Sequence, residues 1–186
     1  MGIADGGRRA VFLDRDGVIN RVVLIGGRPH PPPSVAAMHV LPGVAEALAR
    51  LSAAGFRLVV VTNQPDVARR TQQRAVIDAM HAHLAATLPI DDFRVCDHDD
   101  ADECSCRKPK AGLLEEAARE GGLSLVASFM VGDRWRDIEA GRRAGCTTVF
   151  IDCGYREQPP DRPDVTVRSL PEAADWILRR SQLEDA

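Results

Sequence analysis

The chain has 186 residues and carries 24 Lys and Arg against 27 Asp and Glu, a net charge of −3. With 45% hydrophobic and 27% charged residues it reads as one ordinary globular domain over 1–186, which excludes collagen, coiled coil and wholesale disorder. No basic field exists to hold nucleic acid or an anionic membrane, so neither is expected as a partner.

Residues 1–9 carry Gly, Asp and Arg where a signal peptide needs a long apolar core. The first apolar run, Ala10–Leu13, is short and reads as a buried strand. The Pro-rich stretch Arg28–Pro33 follows as a loop. Pro42–Ala54 reads as a helix, with Pro42 in its first turn, Val44, Leu48 and Leu51 on one face, and Gly55 to stop it. Leu58–Val61 is a second strand, far too short to span a bilayer. A helix over Thr71–Leu88 places Val76, Met80 and Leu84 inward and leaves His81 and His83 on the surface, as His39 is on a loop. Strand Phe93–Cys96, helix Leu113–Glu120 with Gly121-Gly122 as its stop, strand Phe129–Val131, and helix Trp135–Ala144 with Gly145 follow in turn. Strand Thr147–Ile151 and a helix around Glu172–Arg180, packing Trp176 and Ile177, close the chain. Such alternation predicts an α/β fold, a Rossmann-like parallel sheet with helices on both faces.

Ligands of parallel sheets bind at the carboxyl ends of the strands. Those exits hold Asp14-Arg15-Asp16-Gly17, Thr62-Asn63-Gln64, the Cys96 cluster and Gly132-Asp133. Asp14 and Asp16 repel unless a cation or a shared proton lies between them. Asp133, and Asp137 one turn later, make an oxygen-only cluster suited to Mg²⁺. Lys108, beside Arg107 and Pro109, adds a cation, and Thr62 a hydroxyl. A metal, a lysine, a hydroxyl and a carboxylate nucleophile are the parts needed to split a phosphomonoester.

These motifs resemble those of the haloacid dehalogenase-like (HAD-like) hydrolase superfamily: Phe-Leu-Asp14-Arg-Asp16-Gly-Val-Ile-Asn20, Val-Val-Val-Thr62-Asn-Gln, Arg107-Lys108-Pro109 and Val-Gly-Asp133-Arg-Trp-Arg-Asp137, in that order. The resemblance implies that Asp14 attacks phosphorus and that Asp16 protonates the leaving oxygen and then activates water. It implies that Thr62 and Lys108 hold the phosphoryl oxygens and that Asn63, Gln64, Arg107 and Arg134 contact substrate. Mg²⁺ would be ligated by Asp14, the backbone carbonyl of Asp16, and Asp133, with Asp137 in support. The gaps between motifs are filled by helices already assigned, so no cap domain is expected.

Cys96-Asp-His98 and Cys104-Ser-Cys106 offer three thiols and one imidazole on a loop spanning 96–106. Four protein donors suit a closed structural Zn²⁺ site and leave no position for a reacting water. Cys146 and Cys153 read as ordinary core or loop residues. Asp97, Asp99, Asp100, Asp102 and Glu103 around the loop would repel nucleic acid. A loop of this kind running into Arg-Lys-Pro resembles the D-glycero-D-manno-heptose bisphosphate phosphatases and, equally, the histidinol-phosphatase domain. A small phosphorylated sugar is the expected substrate, with histidinol phosphate as the alternative. A non-enzymatic zinc-stabilised module fits less well, because both Asp14 and Asp16 are intact. Where heptose-type relatives carry an Asp and a Gly-Tyr pair, this chain has Arg28 and His30, which suit either a second anionic group or solvent. Arg70 stands where relatives have Gly. A cytoplasmic protein, monomeric or weakly oligomeric, is expected.

Overall fold

All four side chains of β1 (Ala10–Leu13) are buried, as a strand covered on both faces requires. The computed structural model describes residues 7–184, so residues 1–6 and 185–186, with most of the segment read for a leader and the outer bounds of the 1–186 domain, lie outside it. After β1 come β2 (Val23–Ile25), β3 (Arg28–His30), α1 (Val44–Ala53), β4 (Arg57–Asn63), α2 (Arg74–Thr87) and β5 (Asp92–Cys96). The second half supplies α3 (Gly112–Gly121), β6 (Phe129–Gly132), α4 (Trp135–Ala144), β7 (Thr147–Ile151), β8 (Val165–Val167) and α5 (Leu170–Glu184).

The main sheet runs β5-β4-β1-β6-β7-β8 with every neighbour parallel. Alternation along the strands divides the core in two. Val11 and Leu13 join Leu48, Leu51, Met80, Leu84 and Ile177 from α1, α2 and α5. Ala10 and Phe12 face the other way, onto Leu113, Leu114, Ala117 and Ala140 of α3 and α4. The chain leaves β1 for β4 and β5 on one side and returns to build β6, β7 and β8 on the other. The carboxyl ends of β4, β1 and β6 therefore meet at the switch point, where a parallel sheet opens a crevice.

Three readings change. Arg28–His30 is not loop but strand, paired antiparallel with β2. Gly26 and Gly27 have φ of 61° and 80°, which makes the two-residue turn that a twisted hairpin needs. Pro42 lies before the helix, whose N-cap is Gly43 at φ 75°. α2 begins at Arg74 rather than Thr71, because the Thr71 and Gln72 amides donate to the Asp66 carbonyl in a preceding turn. Strand β8, three residues at the sheet edge, was not foreseen. Between Asp14 and Thr62 lie only the hairpin, a single 3-10 turn and α1, and between Thr62 and Lys108 only α2, β5 and the cysteine loop. No inserted cap domain interrupts the described residues.

Candidate active site

Asp14 leaves β1 with its amide donating to the Val131 carbonyl at 3.0 Å, which fixes the residue between β1 and β6. Its carboxylate accepts from the Lys108 ammonium at 2.9 Å, and the same Nζ lies 2.6 Å from Asp137 Oδ1 and 2.7 Å from the Val61 carbonyl. Burial, only partly offset by Lys108, pushes Asp14 up to about 6. Burial alone would depress the Lys108 ammonium, but Asp137 and Asp14 outweigh it and hold the pKa above its usual value. A buried lysine is charged here because two carboxylates share it.

Asp133 enters from the end of β6, fully buried, and burial with Asp14 and Asp137 alongside raises its pKa well above the carboxylate range. The Tyr155 hydroxyl is close enough to favour the ionised form, yet neither Asp133 oxygen has a partner at hydrogen-bonding geometry. Gly17, at φ 88°, makes the room: a Cβ there would stand 1.8 Å from Asp133 Oδ2. One oxygen each from Asp14, Asp133 and Asp137 can lie within 4.8 Å of one another. Orphaned oxygens in a buried trio of hard donors fit a divalent cation such as Mg²⁺.

Asp16 turns to a different set of partners. Oδ1 accepts from Asn20 Nδ2 at 2.9 Å, and Oδ2 from Gln64 Nε2 at 2.8 Å and Arg15 Nη2 at 2.8 Å. Gln64 also donates to Thr62 Oγ1 at 2.9 Å. This corrects the expected role of Gln64: it is buried and orients Asp16 and Thr62 instead of lining the cavity. Asn63 lines the cavity, but its amide is engaged twice with the backbone of Lys108, donating to the carbonyl at 3.0 Å and accepting from the N–H at 3.1 Å. His81, expected on the surface, is buried, with its ring stacked on Phe93 at 4.7 Å between centroids. Its Nε2 lies 3.2 Å from Arg15 Nη1. His83 and His39 are exposed, as expected.

The cavity above these groups measures about 660 Å³. Arg107 and Arg134 both line it, and each is paired: Arg107 Nε with Asp100 at 2.7 Å, Arg134 Nε with Glu157 at 2.8 Å. Sequence reasoning missed Glu157, Tyr155 and Arg156, which come from an irregular segment after β7 with no motif to mark it. Beside Arg107 the cysteine loop closes on itself. Cys96 Sγ lies 3.0 Å from Cys106 and 3.6 Å from Cys104, and His98 Nδ1 lies 3.3 Å from Cys106. All four donor atoms fall within 4.8 Å of one another, a set that could hold one tetrahedral ion. Cys146 is buried and Cys153 exposed, both apart from that set.

A family model described as HAD-hydrolase-like matches residues 105–173. The chain is 36% identical over 152 residues to a D-glycero-beta-D-manno-heptose-1,7-bisphosphate 7-phosphatase of Pseudomonas aeruginosa, covering 79% of this chain and 83% of that one. The chain belongs to the heptose-bisphosphate phosphatase family of HAD-like hydrolases. A family member from Thermosynechococcus vestitus is 33% identical over 193 residues, covering 91% and 95% of the two chains. The D,D-heptose 1,7-bisphosphate phosphatase of Bordetella bronchiseptica, solved with magnesium and phosphate, matches this fold with a TM-score of 0.75 at 29% identity, over 92% of this chain and 99% of that one. The acidic trio, Asp14 after β1, Asp133 after β6 and Asp137 in the first turn of α4, is the part of this chain suited to such an ion. Among the described residues no helix is long and apolar enough to cross a membrane.

Proposed function

We propose that the chain is a Mg²⁺-dependent phosphatase that removes the 7-phosphate of a D-glycero-D-manno-heptose 1,7-bisphosphate. The carrying observation is a buried carboxylate, Asp14, held 2.9 Å from a buried ammonium and beside the partnerless oxygens of Asp133. Bound Mg²⁺ supplies charge neutralisation for the carboxylates and the phosphoryl oxygens, and Asp14, the Asp16 carbonyl and Asp133 would hold it. Asp14 attacks phosphorus, the ester oxygen leaves with a proton from Asp16, and Asp16 then takes a proton from the water that splits the aspartyl phosphate. Lys108 and the Thr62 hydroxyl hold the phosphoryl oxygens, and Lys108 screens Asp14 from Asp137 throughout. Asn63 acts by fixing Lys108. The Cys96, His98, Cys104 and Cys106 set binds Zn²⁺ as a structural ion that shapes the cavity wall and presents Arg107. Its free thiols suit a reducing cytoplasm.

Arg28, on β3, and Arg156 favour a substrate with two phosphates over histidinol phosphate. Both line the cavity, neither guanidinium makes a hydrogen bond or ion pair among the described residues, and Arg156 packs against Gly27 beside Arg28. Two cations on one cavity wall without an acidic partner are a place for a distal anion. The test is phosphate release with Mg²⁺ from heptose 1,7-bisphosphate, histidinol phosphate and p-nitrophenyl phosphate. The bisphosphate should show the highest kcat/KM, and Asp14→Asn should release nothing from any of them. A preference for histidinol phosphate would overturn the substrate, and turnover by folded Asp14→Asn would overturn the chemistry.

A further inference from the structure

Among the described residues, Arg15 is the largest side chain with no solvent exposure at all. A guanidinium has five N–H donors and no acceptor, so burying it demands a full set of partners. One edge is satisfied by Asp16: Nε donates to Oδ1 at 3.2 Å, and Nη2 donates to Oδ1 at 3.0 Å and to Oδ2 at 2.8 Å. The other edge, through Nη1, meets His81 Nε2 at 3.2 Å. Because the arginine can only donate, His81 Nε2 must be the unprotonated nitrogen, and the ring proton sits on Nδ1. The ring is fixed in turn by α2, which carries it, and by stacking on Phe93 of β5. Burial, reinforced by Arg15, holds His81 down at about 4, in keeping with a ring that only accepts.

We propose that His81 is a positioning residue for the acid–base carboxylate Asp16, acting through Arg15. The inference rests on the acid–base role proposed above for Asp16. That carboxylate stands at the cavity edge with 15% of its side chain exposed, and its orientation is set from behind. Asn20 and Gln64 each contact one oxygen, and among the described residues only Arg15 spans both, so the plane of the guanidinium sets the plane of the carboxylate. Losing the His81 acceptor frees Nη1 to seek another partner and lets that plane rotate. Neither His81 nor Arg15 lines the cavity, so substrate binding should be left alone.

The test compares wild type, His81→Leu and His81→Gln on an alkyl phosphomonoester and on p-nitrophenyl phosphate, with Mg²⁺ and with folding checked by thermal melts. Leu fills the space without an acceptor, while the Gln carbonyl can still accept from Arg15. On the alkyl ester, whose leaving oxygen needs a proton, His81→Leu should lose about tenfold in kcat, the weight of one buried hydrogen bond, with KM within about twofold. On p-nitrophenyl phosphate, whose leaving group departs unaided, the first turnover, read as the burst of p-nitrophenol, should slow less, and His81→Gln should recover most of the rate on both. A folded His81→Leu with wild-type kcat on the alkyl ester overturns the inference, as does a His81→Gln protein no better than the leucine variant. A p-nitrophenol burst slowed as much as turnover of the alkyl ester overturns it too. Wild-type protein inactive on every phosphomonoester would instead overturn the phosphatase reading itself.

Discussion

Replacing Lys108 by Met keeps the length of the side chain and removes only its charge. The ammonium is 2% exposed and lies within 2.9 Å of three acceptors, on Asp14, Asp137 and Val61. Its removal strands carboxylates that stay buried, and breaking a buried ion pair from one side costs about 3–5 kcal/mol. In a chain of this size each kcal/mol lowers Tm by about 2–4 °C, so metal-free Lys108→Met should melt about 6–20 °C below wild type at pH 7. Protons should relieve the deficit. Asp14 already stands at about 6 in the folded protein against 3.8 for an ordinary aspartate, and losing Lys108, which lowers it, moves it further up. A carboxyl whose folded pKa is raised contributes stability that is present at acid pH and is lost as pH rises through the folded value. The gap between variant and wild type should therefore narrow at pH 5 and be wide at pH 7. Calorimetry in EDTA at both pH values is the assay, with phosphate release as a control that should read zero. A variant melting within about 2 °C of wild type at pH 7 would refute the view that Lys108 neutralises this cluster.

The wild type should show the same linkage in milder form. Raising Asp14 from 3.8 to about 6 is worth about 3 kcal/mol, so metal-free stability should fall by about that much between pH 4 and pH 7, and saturating Mg²⁺ should flatten the slope, as measured by denaturant titration. Cys104→Ser should lower bound zinc in elemental analysis and weaken substrate affinity and rate together, because Arg107 and Lys108 follow Cys106 directly, while the Mg²⁺ dependence stays unchanged. Zinc-free active wild type would contradict this. Arg28→Ala and Arg156→Ala should each raise KM for heptose 1,7-bisphosphate by about tenfold and leave p-nitrophenyl phosphate kinetics unchanged, as one lost charge-assisted contact to a distal phosphate would.

The strands were legible as short runs rich in buried apolar residues: Ala10–Leu13, buried throughout, and Thr147–Ile151, with Thr148, Val149 and Ile151 buried, match residue for residue. Helix ends marked by left-handed glycines, Gly122 and Gly145, were equally plain. The β2–β3 hairpin was missed because Val23, Leu24 and Ile25 are exposed and its Gly-Gly turn sits next to a run of prolines that reads as loop. At the site, the residues proposed to act on the phosphoryl group, Asp14, Asp16, Thr62 and Lys108, stand in recognisable motifs, whereas the contacts that hold them are not written there. Gln64 and Asn63 sit inside a motif yet face inward or toward the backbone, and no spacing rule separates a side chain that meets substrate from one that meets its neighbour. His81 was misplaced for a related reason: a histidine on a helix reads as polar and outward unless the buried arginine that needs it as an acceptor is known. Glu157 and Arg156 arrive by long-range folding of an irregular segment, which leaves no periodic trace.

The double hydrogen bond between Asn63 and the Lys108 peptide has a consequence for how such enzymes can be rebuilt. It plugs the last residue of a rigid strand into the downstream foot of the cysteine loop, and the Lys108 side chain is buried a few ångströms away. The loop is therefore an exchangeable cartridge seated in a fixed socket. Its tip, from His98 to Ser105, can be exchanged for a relative's that keeps the His98 and Cys104 donors, while the foot at Lys108 keeps its place so long as position 63 retains an amide. A chimera made on that plan should keep Lys108 seated between Asp14 and Asp137.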